Sequence, residues 1–171
     1  MASSTARGNR IYRLGDNDSV VVLPVGSAIP NIANPEAAGI ITAEGTAGCQ
    51  TASATVRGVK NLDVFVDVAT NAGAANLYLK FRFSDKDSPD VTNPLHWGFV
   101  LVDNIDTATG ISSVQEYIVK IPLDTVNGTA NANQPRRFST RITDISGIFA
   151  SAIIWTDGTN TVASVTFVRH G

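Results

Sequence analysis

Apolar and polar residues alternate strictly along two neighbouring stretches of the chain. In LDVFVDV (62–68) and in LYLKFRF (77–83) every second residue is apolar, and the positions between include Asp63, Lys80 and Arg82. Because successive side chains of a β-strand point to opposite faces, each stretch predicts a half-buried strand. The charged positions predict a solvated outer face of the sheet, with a polar protein-binding face as the alternative.

The two stretches are separated only by small and polar residues, so we expect them to form a β-hairpin. Val68 then lies opposite Leu77, and the two apolar faces continue side by side into one core. On the outer face Asp63 comes close to Arg82, and such a cross-strand pair of opposite charges adds about a few tenths of a kcal/mol.

The same two-residue period predicts further strands along the chain. They fall at 19–26, 96–104, 114–123, 136–145 and within 149–169. The last of these ranges contains the strongest turn signal of the chain, Asp157-Gly158. It predicts a second hairpin, because glycine accepts the positive φ that a tight hairpin turn requires.

The number and spacing of these elements predict the fold class. About seven to nine strands, spaced roughly eight to twelve residues apart, are typical of a sandwich or barrel. The only helical signal is NPEAA, which predicts a short helix near Pro35–Ala38. Without helical crossovers the strands must be antiparallel. We therefore predict an all-β, antiparallel, jelly-roll-like β-sandwich that forms one domain over residues 19–171.

The N-terminal residues 1–18 are polar and basic, and they predict a flexible extended arm. The first fourteen residues contain no acidic residue and three arginines, Arg7, Arg10 and Arg13. Residues 58–125, in contrast, contain five basic and nine acidic residues. A basic arm on an acidic body predicts an acidic neighbour for the arm.

Composition argues against several classes of protein. A formal net charge of −2 predicts no general attraction to nucleic acid or to a membrane surface. The single cysteine, Cys49, cannot form an intramolecular disulfide. The N-terminus has no secretory signal, and there is no run of roughly 18 apolar residues that could span a membrane. We therefore expect the chain to fold in a cytoplasm.

Residues that carry enzyme chemistry are scarce. His96 and His170 are the only histidines, and neither accompanies a nucleophile motif. The loop SDKDSPD, which contains Asp85, Asp87 and Asp90, lacks the glycine of a calcium loop and reads as a turn, although a divalent ion there stays open. We predict no catalytic residues, no metal and no cofactor.

The two tryptophans are candidate contact residues. Trp155 lies just before the predicted turn and is the aromatic residue best placed for exposure, and Trp97 begins a predicted strand. Aromatic rings that carry a polar group are common where a protein binds a partner. Packing at the end of the sandwich core is the favoured interpretation of Trp155, and a glycan-binding or interface role is the alternative for Trp155 and Trp97.

Two segments resemble a known class of protein. LDVFVDVATNAGAANLYLKFRFSDKDS looks like a pattern in small β-sandwich proteins of tailed-bacteriophage virions, in which a strand, a small-residue turn, a second strand and a Ser/Asp-rich loop follow one another. IIWTDGTNTVASVTFVRHG is similar to the closing hairpin of such proteins. The resemblance covers residues 56–90 and 148–171.

This resemblance implies a capsid decoration (cement) protein without enzymatic activity. Such a protein assembles in the host cytoplasm and binds the outer surface of the major capsid protein lattice, with a homotrimer favoured and no direct contact to nucleic acid or membrane. The arm would reach the neighbour through Arg7, Arg10, Tyr12 and Arg13. Strand addition by residues 19–25 is a second mode of attachment.

Three other functions stay open on sequence grounds. A tail or baseplate sandwich would bind host glycans, through Trp155 in the first place. A coat protein would assemble into closed particles by itself. A glycan-degrading or metal-dependent enzyme ranks last, because no pair of carboxylates is singled out by the sequence.

Overall fold

A computed structural model describes residues 17–32, 50–72, 76–90, 93–105, 112–123, 125–126, 129–130, 136–145 and 147–171. Thirteen strands and one three-residue 3-10 helix, Pro94–His96, lie in this part of the chain. The strands are β1 (Asn17–Ala28), β2 (Ala54–Thr55), β3 (Asn61–Ala72), β4 (Asn76–Ser84), β5 (Gly98–Phe99), β6 (Leu101–Ile105), β7 (Ser112–Glu116), β8 (Ile118–Pro122), β9 (Thr125–Val126), β10 (Thr129–Ala130), β11 (Arg136–Ile142), β12 (Phe149–Thr156) and β13 (Thr159–His170).

Nine of these strands form two antiparallel sheets. Sheet A has the order β1-β13-β3-β11, and sheet B has the order β2-β12-β4 with β5 and β8 both paired to the remaining edge of β4. The sheets pack face to face over one hydrophobic core. The predicted all-β, antiparallel sandwich is confirmed, and the strands of its two sheets fall within the predicted number.

The strand order is that of a jelly roll. Apart from β5 to β10, consecutive strands alternate between the sheets: β1, β3, β11 and β13 lie in sheet A, and β2, β4 and β12 lie in sheet B. β5 and β8 together occupy the one position beside β4. The first and last strands are neighbours, as in a barrel-like sandwich built from two Greek keys. The remaining strands of the described chain form two small ladders, β6 with β7 and β9 with β10.

The alternating residues of the sequence form the core as predicted. The apolar side of β3 faces the apolar side of β4 across the space between the sheets. Full burial of one such aliphatic side chain contributes roughly 1.5–3 kcal/mol. The fully or almost fully buried residues of these two strands are Leu62, Val64, Val66, Val68, Leu77, Leu79 and Phe81.

The predicted hairpin of β3 and β4 is wrong, because the two strands belong to different sheets. Val68 pairs with Ala163 of β13, and Leu77 pairs with Thr156 of β12. Alternation specifies which face of a strand is buried, but two apolar faces can meet either side by side in one sheet or face to face between two sheets. Here they meet face to face.

The predicted C-terminal hairpin is wrong for the same reason. β12 lies in sheet B and β13 in sheet A, so Asp157-Gly158 is a tight crossing between the sheets. The residue with positive φ is Asn160, at 54°. The Asp157 carboxylate anchors the crossing to β4, because it accepts hydrogen bonds from the Asn76 side chain at 2.8 Å and the Tyr78 hydroxyl at 2.9 Å.

The predicted arm and the predicted short helix lie mainly outside the described residues. Arg7, Arg10, Tyr12 and Arg13 all belong to residues 1–16, which the structure does not describe. The last two residues assigned to the arm are the first two of β1. The helix predicted at 35–38 and the single cysteine are likewise outside the described part.

Candidate interaction surfaces

The outer face of sheet B is covered by the chain itself, so the predicted solvated face at Lys80 and Arg82 is wrong. Each of these residues is only 3 % exposed. The Lys80 ammonium lies 3.7 Å from the ring centroid of Phe99, and the Arg82 guanidinium lies 4.3 Å from that of Trp97. Both contacts have cation–π geometry, which stabilises a cation where water is excluded.

Polar partners make the burial of these two cations tolerable. Lys80 Nζ forms an ion pair with Glu116 Oε2 at 2.5 Å, and Arg82 Nε donates a hydrogen bond to Ser151 Oγ at 2.8 Å. A buried charge without such partners would cost several kcal/mol. Glu116 ends β7, so the ion pair also ties the β6–β7 ladder to sheet B.

Both candidate tryptophans lie in this covered layer. Trp155 is 8 % exposed and stacks on Tyr78, with the ring centroids 5.3 Å apart and the planes 11° from parallel. Trp97 is also buried, and its indole N–H donates to the Asp90 carbonyl at 3.0 Å. Ile32 and Phe99 pack against the cluster of Trp155, so this ring is packed within the protein, in agreement with the favoured interpretation. A glycan or interface role of these rings stays a prediction.

The outer face of sheet A, in contrast, is a polar surface of paired charges. Arg141 donates two hydrogen bonds to the carboxylate of Asp63, from Nε at 2.5 Å and from Nη2 at 2.9 Å. His170 Nε2 lies 2.9 Å from the same carboxylate. Arg137 pairs with Asp67 at 3.1 Å, so the charges of this face are largely satisfied within the molecule.

The contacts of Asp63 change its acidity. The hydrogen bond from Arg141 lowers the pKa of the Asp63 carboxyl below its ordinary value of 3.8, burial opposes this, and the bond to His170 acts in the lowering direction. A carboxyl whose pKa is lowered on folding stabilises the fold above its ordinary pKa. That stabilisation is lost as the pH falls through the folded-state pKa.

We expect Asp63→Asn to destabilise the protein at neutral pH by an amount that shrinks as the pH falls below 3.8. Urea unfolding of both proteins over this range measures the difference. Arg141→Gln should show the same pH dependence, because it removes the main cause of the shift. The matched control is Asp87→Asn, which breaks an exposed pair with Arg57 and should change stability by at most about 1 kcal/mol. A pH-independent difference for Asp63→Asn would contradict the assignment.

A cleft of about 610 Å³ opens at one end of the sandwich, and we call it the end cleft. Two large apolar residues, Leu95 and Leu101, line it and are 88 % and 58 % exposed. Two acidic residues, Asp85 and Asp144, also line it. The other lining residues are Phe83, Ser84, His96, Trp97, Gly98, Phe99, Val100, Ile142, Thr143 and Ile145.

The end cleft has almost no signal in the sequence, because its walls come from three separate segments. These are the end of β4, the stretch from Leu95 to Leu101, and the turn after β11. The one local signal is the unbroken run FVLV (99–102), which departs from alternation and leaves Leu101 on the exposed side.

The outward edge of β1 is poorly suited to the predicted strand addition by residues 19–25. Two register shifts interrupt the ladder between β1 and β13, and Pro24 lies within the strand. The carbonyl of Val22 already accepts a hydrogen bond from the Ala52 N–H at 2.8 Å. Bulges and prolines of this kind commonly protect sheet edges from pairing.

The acidic loop is held by contacts within the protein. Asp87 pairs with Arg57 at 2.7 Å, and the Asp90 N–H donates to His96 Nδ1 at 2.9 Å. Within the described ranges, no group of three His, Cys, Asp or Glu residues is placed to hold a metal ion. Nor does that part of the chain contain a helix long and apolar enough to cross a membrane.

Neither a protein-family model nor a curated protein matches the chain.

Proposed function

We propose that this chain is a non-enzymatic structural protein of a tailed-bacteriophage virion, and more narrowly a capsid decoration (cement) protein. It would bind the outer surface of the major capsid protein lattice, as a homo-oligomer for which a trimer is favoured. The sequence resemblance supports the virion assignment, and the jelly-roll sandwich is compatible with it, since this fold is used by viral capsid domains as well as by lectins.

The observation that carries the proposal is the contrast between the end cleft and the outer faces of the two sheets. Sheet B is covered by its own aromatic residues, and the charges of sheet A are paired. Leu95 and Leu101, however, expose large apolar side chains beside carboxylates. Apolar groups rimmed by polar ones are typical of protein-binding surfaces.

The proposed mechanism is stabilisation by selective binding. A protein that binds the assembled lattice more tightly than free subunits shifts the equilibrium towards the assembled form by mass action. The sandwich supplies a rigid body, and the basic arm reaches a neighbouring molecule through Arg7, Arg10, Tyr12 and Arg13. None of this requires a catalytic group.

Co-sedimentation with expanded heads of the virus that encodes the chain tests this function. We expect the full chain to bind the heads saturably. Deletion of residues 2–14 should leave the circular-dichroism spectrum unchanged, because the core begins later in the chain, and should weaken head binding at least about tenfold. Replacing the three arm arginines by glutamine keeps the length of the arm and should also weaken binding, which separates the role of the charges from that of chain length. Unchanged binding after the deletion would contradict the role of the arm.

A self-assembling coat protein is the second candidate, and the jelly-roll strand order favours it, because this order recurs in viral capsid domains. Electron microscopy of the purified chain distinguishes the two. Closed particles formed by the chain alone would support the coat function, whereas small soluble oligomers that bind heads support decoration. Oligomers that ignore heads would favour a tail or baseplate role in glycan binding.

A further inference from the structure

We propose that the end cleft binds residues 10–14, RIYRL, of the N-terminal arm of a second copy of this chain. The inference deepens the proposed function, because it identifies the neighbour that the arm reaches. Arm and cleft would then hold the copies together, and the oligomer as a whole would bind the capsid lattice.

The end cleft has a largely apolar lining. Leu95 and Leu101 stand exposed at its mouth, and Phe83, Phe99 and Ile145 contribute further apolar surface. A partner that covers these side chains is stabilised in proportion to the apolar area that it removes from water.

The lining of the end cleft also contains carboxylates that can pair with a cationic ligand. Asp144 forms no ion pair within the described part of the chain, and Asp85 has only Lys86 within reach, at 3.7 Å. Asp85 and Asp144 therefore leave negative charge in the lining of an apolar cleft. A ligand that satisfies both features must combine apolar side chains with cations.

The arm segment has this composition. Within five residues RIYRL offers three apolar or aromatic side chains, Ile11, Tyr12 and Leu14, and two guanidinium groups, Arg10 and Arg13. Guanidinium groups form bidentate pairs with carboxylates and tolerate partial burial better than ammonium groups do.

The short distance that the residues before β1 can span favours the cleft of a second copy over that of the same copy. The end cleft lies beside the end of β11, and Asn17 begins β1 at the same end of sheet A, three strands away. Three strand spacings amount to about 14 Å. Leu14 precedes Asn17 by three residues, which span at most about 11 Å. Even a fully extended backbone therefore leaves Leu14 short of the end of β11 in its own molecule, whereas a second copy can accommodate the whole segment without full extension.

An arm bound in the cleft of the next molecule is a head-to-tail contact. Such contacts close into a ring when the rotation between copies divides the circle evenly, and a trimer is one such ring. A ring also presents several identical lattice-binding surfaces at once, which raises the avidity for a repeating capsid surface.

Sedimentation velocity of full-length variants tests the contact by charge exchange. The arm variant is Arg10→Glu with Arg13→Glu, and the cleft variant is Asp85→Lys with Asp144→Asn. Asparagine is chosen because Asp144 has a φ of 56°, which asparagine tolerates. We expect the unaltered chain to be an oligomer and each variant alone to self-associate at least about tenfold more weakly. A chain that carries both sets of substitutions should recover the oligomer, because every arm then meets a cleft of opposite charge whatever the number of copies in the ring.

Leu95→Asp should weaken self-association as well, and Val25→Asp is its matched control. Val25 is 85 % exposed but lies towards the other end of sheet A, so its replacement should leave the oligomer intact. A monomeric unaltered chain, oligomers that persist in both charge variants, or a combined variant that fails to recover would each overturn the inference. Binding of such a chain to heads would nevertheless uphold the proposed function, so the two failures are distinguishable.

Discussion

Phe167→Ala is expected to lower the free energy of unfolding by about 3–5 kcal/mol, which is typical for removal of a buried aromatic ring. Phe167 has no exposed surface and lies on the inner face of β13 in the hydrophobic core. Its strand is paired on both sides, with β1 and with β3, so the site cannot easily collapse around the cavity. Urea unfolding at neutral pH, with the circular-dichroism signal as the readout, measures the change.

Phe65→Ala is the matched control for this prediction. Phe65 lies on the neighbouring strand but on the outer face of sheet A, where the Arg137 guanidinium sits 4.9 Å from its ring centroid. Loss of a half-exposed cation–π contact should cost about 0.5–1 kcal/mol. Equal losses for both substitutions would contradict the structure, in which Phe167 lies in the core and Phe65 lies on the outer face of sheet A.

Trp97→Ala is expected to have a similarly large effect, about 3–5 kcal/mol. The indole covers the guanidinium of Arg82 and donates its N–H to the Asp90 carbonyl. Its removal exposes a buried cation and also removes part of the wall of the end cleft. Thermal unfolding of the variant measures the loss.

Leu95→Ala is the control, because Leu95 lies only two residues away but is almost fully exposed. Its replacement should change stability by at most about 0.5 kcal/mol. If Trp97→Ala kept full stability and abolished binding of a glycan, Trp97 would be a ligand-binding residue, and the structural role assigned to it here would be wrong.

The buried faces of the strands could be predicted from the sequence, whereas the neighbours of each strand could not. Alternation at 62–68 and at 77–83 identified the core positions, since a one-residue shift would expose a whole apolar face. Strand pairing depends on the course of the entire chain. β3 and β4 are adjacent in sequence, but they pair with β13 and β12, which lie near the other end of the chain.

The covered face of sheet B shows why exposure of charged residues is hard to predict. Lys80 and Arg82 occupy the polar phase of a clean alternation, which normally predicts a solvated face. Their burial depends on Phe99 and Trp97, which enter from a later segment. The prediction is wrong because no pattern within the sequence of β4 indicates that a later segment packs against it.

The end cleft could not be predicted for a related reason. Asp144 and Leu95 have no common pattern in the sequence, and they come together only because β11 and β4 end on the same side of the sandwich. In the sequence, charge alone distinguishes the arginines of the arm. Any contact between the arm and the cleft depends on acidic and apolar lining residues that only the fold brings together.

The most direct test of the proposed function is the effect of the purified chain on the thermal stability of expanded heads. Heads are incubated with increasing amounts of the protein, and the temperature at which they release DNA is recorded together with the amount of protein bound. If the chain is a decoration protein, we expect saturable binding and a release temperature that rises with occupancy, because binding favours the assembled lattice. A folded chain that fails to bind, or that binds without raising the release temperature, would contradict it.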